Sequence, residues 1–170
     1  MDAQVFISFA SQDHKVAQTL CQALEARGFK CWISSRDILP GENFQVAIVK
    51  AIRSVRLMLL VFTASSNDSE EMNKELALAS QRKLAVVPLR IDDVAPNDAF
   101  RYEFATRQWI DFFADWETAM NQLTAQIGNI VGAAPAPAPE RTVWPQPTPT
   151  KRPPPLSDPR KAEARAKGPP

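Results

Sequence analysis

The chain has 170 residues, with 15 prolines, 5 glycines, 2 cysteines and a formal net charge of +1, a length that allows one domain and an appendage. Residues 1–132 hold 13 Lys/Arg against 16 Asp/Glu and three prolines, whereas 133–170 hold 7 against 3 and twelve prolines. The mildly acidic body argues against nucleic acid as a partner, no apolar run reaches the roughly 18 residues of a membrane span, and one histidine with two cysteines outside any CxxC offers neither a zinc site nor a disulfide framework.

In chain order, Val5-Phe6-Ile7 is a short apolar run that predicts a first strand, followed by the loop Ser8 to Asp13. Val16, Leu20, Ala23 and Leu24 recur at helical spacing until Gly28, a helix stop. Phe29 to Ile33 predicts a second strand, and Ser34 to Gly41 a polar loop with Pro40-Gly41 as its turn. Phe44, Ile48, Ala51, Ile52 and Val55 mark one face of a second helix, and Leu57 to Phe62 is the strongest strand. Ser65 to Ser69 offers N-caps for a third helix running to about Arg82. Leu84 to Leu89 predicts a fourth strand, with Pro88 marking its end. Residues 93–106 carry no clear period, Gln108-Trp109-Ile110 is a candidate edge strand, and Trp116 to Ile130 is an amphipathic final helix. The first four residues lack the basic and apolar regions of a signal peptide, so a reducing cytoplasmic location is expected.

Strands apolar on both faces and alternating with helices predict a parallel sheet covered on both sides. Right-handed crossovers leave the order 2-1-3-4-5, a flavodoxin-like α/β fold, as the common solution. Ligands of such a sheet bind at the switch point between strands one and three. The loops Ser8–Asp13 and Thr63–Ser69 therefore frame the candidate site. The segment from Ala133 onward is Pro-rich and basic, and is expected to stay disordered and extended, outside the fold. No two of its prolines are spaced as PxxP, and Trp144 is its single aromatic.

Two tenants of this sheet order do not fit. Strand ends Ile7-Ser8-Phe9 and Val61-Phe62-Thr63 lack the acidic cage of a metal-dependent phosphoacceptor. The loop after the first strand has no glycine with which to cradle a phosphate. By contrast, Val5 to Asp13 resembles the opening box of TIR (Toll/interleukin-1 receptor) domains in their bacterial form. Trp32 followed by Arg36 to Phe44 is similar to that family's second strand and following loop. Ser65 to Ala79 is similar to the segment that holds the catalytic glutamate of its enzymes, here Glu75, and Val86 to Leu89 to its fourth strand. The resemblance covers residues 1 to about 132.

The resemblance implies NAD+ as substrate, with cleavage of the nicotinamide–ribose bond to give ADP-ribose or a cyclic variant, and no resident cofactor or metal. It implies self-association with other TIR domains through the loop carrying Asp37, Pro40, Gly41 and Phe44, in signalling or antiphage defence. A non-enzymatic TIR–TIR interaction module, acting as an adaptor or as an effector on host signalling, is the alternative. Breaking the bond develops oxocarbenium character on the ribose. The pyridinium departs as a neutral base, so one carboxylate can suffice. By helical geometry Glu75 lies about 60° from Met72 and about 40° from Ala79, at the edge of the buried stripe.

Ser8, Phe9 and Ser11 lie on the loop expected to face Glu75. Phe9 can stack on nicotinamide or serve as a core aromatic, Arg36 can pair with the diphosphate or be a surface residue, and Trp32 can be core or pocket wall. Asp13 reads as a helix N-cap and His14 as an exposed first-turn residue. Enzymes of this family often carry an aromatic one turn before the glutamate, where this chain has Glu71.

Overall fold

The computed structural model describes residues 2–140 and 143–145. Five parallel strands, β1 (Val5–Ser8), β2 (Cys31–Trp32), β3 (Leu57–Phe62), β4 (Ala85–Arg90) and β5 (Ile110–Asp111), form one sheet in the order β2-β1-β3-β4-β5. Between and after them lie α1 (His14–Glu25), α2 (Ser34–Asp37), α3 (Phe44–Ser54), α4 (Glu70–Gln81), α5 (Asp98–Phe104) and α6 (Trp116–Val131). Short 3-10 turns at Ser11–Asp13 and Ala64–Asp68 follow β1 and β3.

Side chains alternate across a strand, and here that alternation sorts the core into two layers. Val5, Ile7, Leu57, Leu59, Val61, Val87 and Leu89 pack with α1 and α6. Phe6, Met58, Leu60, Phe62 and Val86 pack with α3, α4 and α5. All six residues of β3 are buried, as a central strand covered on both faces requires. In the second layer Phe62 meets Phe100 and Trp109 edge-on, at ring-centroid distances of 5.5 and 5.2 Å. Such pairs add about 0.5–1.5 kcal/mol each beyond their burial.

The expected elements are present, with four differences of extent. The second strand is confined to Cys31–Trp32, because β1 is its single neighbour in the sheet and pairs with it at those two positions. The polar loop after it contains the turn of α2, closed by Ile33 N donating to Asp37 Oδ2 at 2.8 Å. Pro88 sits inside β4 and not at its end. Ile91 N donates to Phe62 O, so alternation aims the Pro88 nitrogen at the opposite side, where pairing with β5 begins at Leu89. A missing donor costs no ladder bond there. The unassigned stretch 93–106 holds α5, capped by Asn97 accepting from Phe100 N at 3.0 Å.

After α6, the described residues 133–140 and 143–145 form no helix or strand and are held against the domain. Ala136 N donates to Arg27 O at 2.9 Å, and Trp144 packs on the α1–α6 layer. For residues 141–142 and 146–170 the expectation of a disordered tail lies outside the described residues.

Candidate functional site

Ser8 is the last residue of β1, and alternation places it on the same face as Phe6, toward α4. Ser69 caps α4 by accepting from Met72 N at 3.3 Å. That start phases the helix so that Met72, Glu75, Leu76 and Ala79 turn inward. Glu75 is therefore deeper than the stripe edge, with 7 % of its surface exposed. Its carboxylate accepts a hydrogen bond from Ser8 Oγ, Oε2 being 2.6 Å away.

Burial drives the Glu75 carboxyl up to about 7, against the lowering effect of the Ser8 hydroxyl, and the charge of Glu71 pushes it further up. At neutral pH the group is thus balanced between its charged and neutral forms. A carboxylate kept away from water interacts strongly with any positive charge that develops beside it. Glu71 itself is exposed and pairs with Lys74 at 3.3 Å, so the helical turn before Glu75 presents an ion pair to solvent.

A second carboxylate stands at the same end of the sheet. Asp13 occupies the N-cap position of α1 but makes no side-chain cap bond. Its Oδ2 instead accepts from Thr63 Oγ1 at 2.5 Å, tying the loop after β1 to the loop after β3. Thr63 N donates to Ser66 Oγ at 2.9 Å, and Ser66 Oγ donates to Val61 O at 3.0 Å. Desolvation raises the Asp13 carboxyl above its ordinary value, the Thr63 hydrogen bond opposes this, and Asp92 adds to the rise. The expected cap is in fact a cross-strand tie, and the sequence holds no local signal for a bond between residues fifty positions apart.

The remaining candidates fall in different places. Phe9 points to the other layer, against the α1–α6 core, with its ring 6.4 Å from His14. Ser11 is exposed and bonds Gln12 at 3.2 Å. Trp32 is 2 % exposed and stacks on Phe6 at 4.9 Å, which makes it a core residue. Arg36 donates to Glu25 at 2.9 Å, to Asp37 at 2.8 Å and to Cys31 O at 2.8 Å. It thereby clamps the end of α1 to α2 and β2. Asp37 receives Arg36 and the Ile33 amide, so both charges of this pair serve local structure. Pro40, Gly41 and Phe44 lie in an exposed stretch with Leu39 and Val46, the last two being 63 and 49 % exposed. Gly41 has a φ of +86°, a conformation that side chains resist. A cleft of about 490 Å³ between α4 and α5 is lined by Asn73, Leu76, Tyr102 and Glu103 among others.

Among the described residues no helix is long and apolar enough to cross a membrane. The chain is 32% identical over 102 residues to the stimulator of interferon genes protein of Magallana gigas, covering 54% of this chain and 25% of that one. It is 30% identical over 97 residues to a probable 2′ cyclic ADP-D-ribose synthase, BdTIR, of Brachypodium distachyon, covering 56% of this chain and 43% of that one. It thus spans less than half the length of either relative. The TIR domain of the Toll-related receptor TRR-2 from Hydra magnipapillata superposes with a TM-score of 0.62 at 22% identity, over 72% of this chain and 96% of that one. The TIR domain family profile matches residues 5–124, which include both Ser8 and Glu75. On these grounds the chain belongs to the TIR domain family.

Proposed function

We propose that the domain cleaves NAD+ at the bond between nicotinamide and ribose, with Glu75 as the catalytic carboxylate. The observation that carries this reading is the 2.6 Å hydrogen bond from Ser8 to a Glu75 buried at the switch point of the sheet. The C–N bond breaks with its electron pair going to nicotinamide, which leaves uncharged. Ionised Glu75 stabilises the positive charge left on the ribose. Water then attacks the anomeric carbon, giving ADP-ribose and a proton, or a hydroxyl of ADP-ribose itself attacks and closes a ring. The name of the Brachypodium relative, a probable cyclic ADP-D-ribose synthase, supports chemistry of this class.

Because Glu75 is so little exposed, substrate reaches it when the loops after β1 and β3 part. Self-association through the exposed apolar stretch Leu39, Phe44 and Val46 is the proposed trigger, with signalling as the setting. Incubating the full chain with NAD+ at high protein concentration, and measuring nicotinamide release, tests the proposal. Release that disappears in Glu75→Gln supports it, and a wild-type protein inert under crowding opposes it.

The same exposed stretch favours a second reading, in which the domain is a non-enzymatic module that docks onto other TIR domains. It gains support if Leu39→Ser and Phe44→Ser abolish association while no NAD+ chemistry is found at any concentration.

A further inference from the structure

The tail meets the domain at the two ends of α6, and between these anchors in sequence Ala136 N donates to Arg27 O at 2.9 Å. At the end of α6, Gly132 adopts a left-handed conformation, and Gly132 N and Ala133 N both donate to Gly128 O, at 2.9 and 3.1 Å. A Cβ on Gly128 would lie 2.6 Å from Ala133 O, so the chain reverses tightly over a position where a side chain is excluded. Trp144 reaches the other end of the helix. Its ring stacks on Trp116 at 5.5 Å and 29°, and its indole Nε1–H donates to Glu117 Oε2 at 2.8 Å. From Gly128 to Trp116 is about 18 Å of helix, a distance within the reach of the nine chain steps that separate Pro135 from Trp144 at about 3 Å per residue.

The domain side of this contact has features of a built site. Arg27 is 2 % exposed, Nη1 donates to Ala23 O at 2.8 Å, and the guanidinium lies 5.9 Å from the Trp144 ring centre. Its Nη2 has no hydrogen bond and sits 3.9 Å from Glu117 Oε1. A buried cation with spare donor capacity is stabilised by an aromatic face and a carboxylate together. Trp144 supplies the face, and its N–H fixes the carboxylate.

We propose that the flank formed by Arg27, Trp116 and Glu117 is a docking site for a tryptophan-bearing, proline-rich strand, and that Trp144 together with the described residues 133–140 of this chain occupies it as a releasable strap. The strap lies on the opposite layer from Glu75 and is independent of the NAD+ reading. Its composition suits release. An extended Pro-rich segment loses little conformational entropy on docking and has no packing of its own to break on leaving.

Limited trypsinolysis of the full chain, read by mass spectrometry, tests this. Cleavage after Arg141 falls between the two anchors, and cleavage after Lys151 is an internal reference. In Trp144→Ala, and in Glu117→Ala, the ratio of the two rates rises about tenfold, as the loss of one stacked, charge-assisted contact predicts. Gly128→Ala raises the ratio too, although alanine favours the helix itself. Thermal unfolding of Trp144→Ala stays within a few degrees of wild type. An unchanged ratio in Trp144→Ala and Glu117→Ala overturns the proposal. So does a Trp144→Ala chain whose whole domain loses its cooperative unfolding, since the segment is then core and not strap.

Discussion

Ser8 and Glu75, separated by 67 positions in the chain, are joined by a 2.6 Å hydrogen bond between the end of the first strand and the second turn of α4. The bond holds a carboxylate that burial would otherwise neutralise. Removing the hydroxyl therefore affects chemistry before it affects the fold. If Glu75 acts as proposed, the half-maximal pH of NAD+ cleavage in Ser8→Ala moves from near 7 to about 8, and activity at pH 7 falls several-fold, recovering in more alkaline buffer. A pH profile that keeps its midpoint in Ser8→Ala counts against this link.

The raised Glu75 carboxyl also makes stability depend on pH. Its folded value of about 7 lies above the ordinary 4.5, so the native state holds the proton more tightly than the unfolded chain. The stabilising effect is complete below about 4.5 and is lost as pH rises to about 7, on the order of 3 kcal/mol in all. Glu75→Gln cannot ionise. Its stability relative to wild type should improve steadily across that window, and denaturant midpoints at pH 4.5, 6 and 8 measure the trend.

Thr63 donates to Asp13 and thereby joins the loops that follow β1 and β3. Thr63→Val keeps the shape of the side chain and removes the donor, leaving a partly buried carboxylate unpaired. The expected cost is about 1–2 kcal/mol in chemical denaturation. Faster backbone hydrogen exchange in residues 10–13 and 63–68 is expected beside it.

Leu39, Phe44 and Val46 are apolar and exposed, and substitutions at such positions leave stability within about 0.5 kcal/mol. Serine at each should preserve the melting temperature while weakening the dependence of activity on protein concentration. Charge reversal at Arg36 or Asp37 is not equivalent, because those side chains clamp α1, β2 and α2 together.

The sequence carried the layers of this fold because strand residues alternate between two helical faces with few exceptions, and β3 is apolar throughout. The same alternation makes Ser8 and Glu75 legible as a pair. Phe6 faces the α4 layer, so Ser8 does as well, whereas the expectation that Phe9 faces Glu75 ran against that alternation, and Phe9 packs on the other layer. What resisted reading depends on distant partners. The Pro88 backbone is tolerated because β4 has no strand partner on that side at that point. Asp13 gave up its cap role for Thr63, and Arg36 is surrounded by Glu25, Asp37 and a main-chain carbonyl. Trp144 lies in a composition that by itself predicts no contacts. It is held by Trp116 and Glu117, residues that periodicity marks as an ordinary helix start.

The most direct test of Glu75 as the catalytic group is the pH dependence of kcat/KM for nicotinamide release, since that ratio reports ionisations of the free enzyme. With Glu75 as that group, the rate climbs with pH through a midpoint near 7 in the wild-type chain, and Glu75→Gln gives no release above background. A Glu75→Gln protein that releases nicotinamide along the wild-type profile contradicts that role.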